Sequence, residues 1–156
     1  TTSYTEYFND LIPWYNGNFG EDFTELRVRI MSLLNEESSL MEIVKLIGAD
    51  ILPDDQKLTI AVARVIREGF LQQNAFHKTD TYMTAANQMA MLRVIAHLDD
   101  GTRALVSRAI PLSQLEATGI FSALGRMKFA LGEGGTEEEF LRLVDDAVAK
   151  VKEANE

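Results

Sequence analysis

The sequence predicts an all-α domain, and three observations carry that prediction. Apolar residues recur at three- and four-residue steps through most of the chain. No segment keeps up the period-two alternation of a half-buried strand. Ser, Thr, Asp and Pro stand where helices would begin, and Gly where they would end.

The first helix is expected over residues 21–37, where Phe23, Leu26, Ile30, Leu33 and Leu34 form one stripe and Asp22 is placed to cap. Ser38 or Ser39 opens a short second helix carrying Leu40, Ile43, Val44 and Ile47. Gly48 ends it, because a left-handed cap suits a residue without Cβ. Pro53 marks the next start, with Asp54 and Asp55 complementing the helix dipole. Leu58, Ala61, Val62, Val65 and Ile66 then make a stripe running on to Phe70.

A further helix is expected from about Thr84 to His97, burying Met89, Leu92 and Ile95, with Asp99-Asp100-Gly101 interrupting it. Pro111 and Ser113 suggest another start, while Gly119 and Gly125 leave 120–129 undecided. Gly132-Glu133-Gly134-Gly135 reads as a flexible joint. Thr136 with Glu139 is a capping-box pattern that opens a last helix with Phe140, Leu143, Val144, Ala147 and Val151 on one side. The expected organisation is a helical bundle over 1–131 and a C-terminal helix over 132–156, together one domain.

At 156 residues the chain can bury a core without staples. A net charge of −9 argues against general nucleic-acid binding, which needs clustered Lys and Arg on phosphates. The absence of Cys excludes disulfides, thiol catalysis and Cys-based zinc sites. No apolar run approaches the roughly 20 residues of a membrane helix, and no signal-peptide pattern opens the chain. It begins Thr1-Thr2-Ser3 without an initiator Met, as a piece of a longer polypeptide would.

No Gly-x-x-x-x-Gly-Lys-Ser/Thr loop, Gly-x-Gly-x-x-Gly, His-Glu-x-x-His or nucleophile elbow occurs. His77-x-x-Asp80 supplies two ligands on a loop, too few for a metal site, so His77 reads as a solvated loop residue. His97 reads as a complement to a helix C-terminus. Glu36-Glu37, Asp54-Asp55 and Glu137-Glu138-Glu139 fall in first or last turns and read as solvated faces rather than acid–base pairs. Met83, Met89 and Met91 read as core filling. These residues carry no catalytic machinery of their own.

The segment from Phe70 to Tyr82 stands apart, with Gln72-Gln73-Asn74 between two phenylalanines. Two readings are open. The amides satisfy helix-terminal carbonyls and Phe76 enters the core, or Phe76 stacks on a base while Gln73, Asn74 and Ala75 line its edge.

The run Ile47-Gly48-Ala49-Asp50-Ile51-Leu52-Pro53-Asp54-Asp55, then Ala63-Arg64-Val65-Ile66-Arg67-Glu68-Gly69-Phe70, then LQQNAFHKTDTY, resembles the C-terminal region of the catalytic A subunit of V-type and archaeal-type rotary ATPases. The match in order and spacing covers Leu46 to Tyr82, and Ser3 to Tyr15 and Phe23 to Arg27 look like the family's lead-in. Gly69 departs from the acidic residue usual in the family, and beyond Leu98 little of the pattern is seen.

The resemblance implies a C-terminal helical bundle behind a nucleotide-binding domain. Phe76, Gln73, Asn74 and Ala75 would form the adenine side of the ATP pocket. Gly48, Asp50, Leu52, Pro53, Asp54 and Asp55 would form the loop that touches the central rotor, the aspartates facing a basic partner. It further implies ATP or ADP with Mg for the parent polypeptide, and no cofactor for this segment alone. The implied partners are the non-catalytic B subunits and the central stalk of a cytoplasmic, membrane-associated complex that moves protons or sodium. A reading without the resemblance is a free-standing helical interaction module with an acidic docking turn.

Overall fold

A computed structural model describes residues 22–71 and 85–156. Among them are seven α-helices and no strand, so the all-α expectation holds. They are α1 (Asp22–Ile47), α2 (Asp54–Ile66), α3 (Ala85–Ser107), α4 (Leu112–Glu116), α5 (Ile120–Gly125), α6 (Met127–Gly132) and α7 (Glu137–Ala154). A 3₁₀ turn, Ala49–Ile51, joins α1 to α2, and a π-helical turn, Arg67–Leu71, follows α2 directly.

α1 is one helix of 26 residues rather than two. Ser38 and Ser39 do not break it, because Ser39 folds its hydroxyl back onto the Asn35 carbonyl (3.4 Å), and Glu37 and Leu40 continue the buried face. Gly48 ends α1 as expected, but with φ 92° and ψ 158° rather than in the left-handed helical region. A side chain would be strained at that φ. Its N–H still closes on the Val44 carbonyl at 2.9 Å. Pro53 caps α2, which turns back antiparallel along α1 and buries Leu58, Val62, Val65 and Ile66.

α3 is the central helix, packing on α1, α2 and, most extensively, on α7. Met89, Met91, Leu92, Ile95 and Leu98 are fully buried, so the two described methionines of the expected cluster do fill core. Met83 lies outside the described residues. Contrary to expectation, α3 runs straight through Asp99-Asp100-Gly101 to Ser107. Asp99 is held by arginines on both sides. A Cβ on Gly101 would lie 3.1 Å from Val148 of α7, so glycine here permits close helix packing rather than a break.

α3 ends on Ala109 at φ 66°, with Ile110 N–H on the Leu105 carbonyl (3.2 Å) and Ala109 N–H on the Val106 carbonyl (3.0 Å). This is the pattern of a left-handed helix cap. The undecided 120–129 region resolves into α5 and the start of α6. At 132–135 the chain makes a hydrogen-bonded turn, with Gly134 at φ 101° and Gly135 N–H 2.8 Å from the Ala130 carbonyl. Thr136 Oγ1 accepts the Glu139 N–H at 3.3 Å, as the capping pattern predicts. α7 buries Phe140, Val144, Ala147 and Val151 in the same core, whereas Leu143 is left 44% exposed.

Candidate functional site

The α1–α2 hairpin carries the tip at Gly48–Asp55, and the structure divides the residues expected there. Gly48, Asp50, Pro53 and Asp55 are exposed. Leu52 is buried, 6% exposed, and pins the turn to the core. Asp54 faces inward, accepting the Leu112 N–H at 2.8 Å. Around the exposed aspartate stand Leu46, Ile47 and Ile51, exposed by 84%, 59% and 64%. The tip is therefore more apolar than its aspartates suggest, since Leu46 and Ile47 project past the end of the core rather than into it.

The hairpin is tied to α3 by buried charge. Asp99, 6% exposed, accepts from Arg29 of α1 at 2.8 Å and from Arg103 at 2.9 and 3.1 Å. Arg103 also donates to Thr59 Oγ1 (3.1 Å) and to the Asp55 carbonyl (3.2 Å) of α2. Desolvation alone would lower the Arg29 pKa. Its hydrogen bonds to Asp100 and Asp99 outweigh that, so its pKa is raised above the ordinary value. The Asp99 carboxylate thus joins α1 to α3 directly and reaches α2 through Arg103.

At the other end of α2, Glu37 of α1 pairs with Arg67, the first residue of the π-helical turn. Glu37 is 3% exposed, which corrects the expectation of a solvated Glu36-Glu37 pair. Ile30, Leu33, Glu37 and Leu40 fall at steps of three and four, so Glu37 belongs to the buried stripe by its register. The same rule would have found Asp99, four residues after Ile95. His97 lies well inside α3, not at its end, and pairs across to Asp145 of α7 at 2.6 Å. Glu137 pairs with Arg93 of α3 at 3.2 Å, while Glu138 and Glu139 are exposed.

The π-helical turn packs against α3, α5 and α6. A Cβ on Gly69 would lie 3.3 Å from both the Leu124 carbonyl and Met91 Cε, and one on Gly125 would lie 2.8 Å from Glu68 Oε2. Beside it a cleft of about 260 Å³ is lined by Arg64, Glu68, Glu116 and Ser122 among others. Gln73, Asn74, Ala75, Phe76 and His77 lie outside the described residues. Among the described residues, no group of three His, Asp or Glu side chains is placed to hold a metal ion. No helix among them is long and apolar enough to cross a membrane.

Residues 12–114 match the family model for the C-terminal domain of V and A type ATP synthase. The chain belongs to this family. It is 42% identical over 151 residues to the V-type ATP synthase alpha chain of Halothermothrix orenii, covering 97% of this chain and 25% of that protein. It is 45% identical over 128 residues to V-type ATP synthase alpha chain 2 of Clostridium tetani (82% and 22%). It is 37% identical over 155 residues to the A subunit of the A-type ATP synthase of Methanopyrus kandleri (93% and 26%). The chain thus spans about a quarter of the length of these curated relatives. The similarity reaches well past Leu98, correcting the expectation that the family pattern fades there. This is a C-terminal domain of the catalytic subunit, and its helical bundle is the family's.

Proposed function

We propose that this domain couples nucleotide binding in a rotary ATPase catalytic subunit to movement of the central stalk, and thereby to proton or sodium transport. One observation carries the reading: the family match over residues 12–114 spans both the Gln72-Gln73-Asn74 sequence and the hairpin tip. The tip's exposed Leu46, Ile47, Ile51 and Asp50 support it, because folding leaves them available for contact. Phe76 would stack on adenine with Gln73, Asn74 and Ala75 around it. Gly48, Asp50, Pro53 and Asp55 would face the rotor, with Leu52 and Asp54 holding the turn in shape from inside.

ATP or ADP with Mg would be bound chiefly by the preceding part of the parent subunit, in company with B subunits and on the cytoplasmic side of a membrane-associated complex. The gene upstream of Thr1 should accordingly encode a Gly-x-x-x-x-Gly-Lys-Thr loop. The direct test is Phe76→Ala in the assembled parent subunit. Loss of stacking worth about 1–3 kcal/mol should weaken MgADP binding roughly 5- to 150-fold. Unchanged affinity would place Phe76 in the core and remove the adenine contact.

A further inference from the structure

We propose that the pair between buried Glu37 and half-buried Arg67 locks the register of the π-helical turn Arg67–Leu71, and that this lock is a positioning device joining the α1–α2 hairpin to the chain beyond Leu71. The inference rests on the coupling role proposed above and gives it a physical element.

A π-helical turn holds one more residue than an α-turn, and such turns are rare and short. Reverting to α geometry would rotate the following chain by about 100° and move it by about 1.5 Å, the rotation and rise of one helical residue. The segment is therefore a two-position element rather than a graded one. The contacts that choose the wide position come from three directions. Arg67 is paired with Glu37 of α1, Glu68 is set against Gly125 of α5, and Gly69 lies between the Leu124 carbonyl and Met91 of α3.

An ion pair with one partner buried is weak support for stability, because desolvation of Glu37 offsets much of the attraction, and the best-attested use of such pairs is to fix register. Glu37 lies ten residues before Ile47, so the lock sits about 15 Å along α1 from the tip. The residues following the turn begin with Gln72-Gln73-Asn74. A push on the tip reaches Glu37 along a single helix, and Glu37 holds the turn from which that segment departs.

The test measures MgADP affinity of the full-length subunit in its assembled ATPase head, with and without the central stalk. The ratio of the two dissociation constants is the coupling factor. Glu37→Gln should bring that ratio closer to one by about 2- to 30-fold, the span of 0.5–2 kcal/mol expected of a coupling residue. Affinity without the stalk should stay within about twofold of wild type, and the exchanged pair Glu37→Arg with Arg67→Glu should restore the ratio.

A wild-type ratio retained in assembled Glu37→Gln overturns the proposal while leaving the coupling role standing. A wild-type ratio of one removes both. Should Glu37→Gln fail to assemble, the double variant Glu37→Gln with Arg67→Gln decides, because it removes the ion pair without leaving either charge unpartnered. A reduced ratio there supports the lock, and an unchanged one overturns it.

Discussion

Asp54, in the first turn of α2, accepts the Leu112 N–H at the start of α4, 2.8 Å away and 58 positions along the chain. α4 has Pro111 at its cap position, with no side-chain hydrogen bond of its own to the first turn. A carboxylate from the hairpin does the capping that a local Ser or Asp usually does. The tip and the small helices after α3 are thereby held in one arrangement.

Removing that cap should be measurable. Asp54→Ala is expected to lower the stability of the chain by about 1 kcal/mol, the usual cost of losing an N-cap acceptor. Chemical denaturation followed by circular dichroism checks it, and a midpoint equal to wild type would show the bond to be dispensable.

Ala109 sits at φ 66°, where a Cβ crowds the following carbonyl. Ala109→Gly should therefore raise stability by about 1 kcal/mol, net of the extra entropy glycine gives the unfolded chain. A lower melting temperature would show that the strain is relieved elsewhere.

Asp99→Ala leaves Arg29 and Arg103 facing each other without their shared acceptor. Both arginines are about one-third exposed and can regain water, so the expected loss is about 2 kcal/mol rather than the larger penalty of a fully buried orphan charge. Equilibrium unfolding in urea measures it, and a loss below about 0.5 kcal/mol would show the three-helix junction to be carried by packing alone.

At the tip the expectation reverses. Leu46→Ser and Ile51→Ser should change the stability of this chain by no more than about 0.5 kcal/mol, because neither side chain is buried. In the assembled ATPase they should instead lower the ATP-driven transport obtained per ATP hydrolysed. A large loss of stability would mean these residues support the fold.

The purified chain on its own should turn over no ATP, since no phosphate-binding loop lies within it. Phosphate release above a buffer blank would contradict that.

The elements legible in the sequence were those whose signals are local. Pro53 with Asp54 and Asp55, Gly48, and Thr136 with Glu139 all mark ends that the structure keeps. Local signals misled where distant side chains overrule them. Ser38-Ser39 and Asp99-Asp100-Gly101 look like breaks, yet Glu37 continues the buried stripe and pairs with Arg67, Arg29 and Arg103 grip Asp99, and Val148 closes on Gly101. Of the Gly48–Asp55 stretch, the turn between two helices was legible from Gly48 and Pro53, but the apolar surroundings of that turn were not. Nothing in the spacing of Leu46, Ile47 and Ile51 says that the core stops short of them.

An unbroken α1 has a mechanical consequence. A rod of 26 residues, about 39 Å long, contains no joint to absorb a sideways load at Ile47. It is fastened to α3 through Arg29 and to the π-helical turn through Glu37, so a load at Ile47 has leverage on both ties, about 27 and 15 Å away along the rod. Had the helix broken at Ser38, as its local chemistry invites, that leverage would be lost at the break.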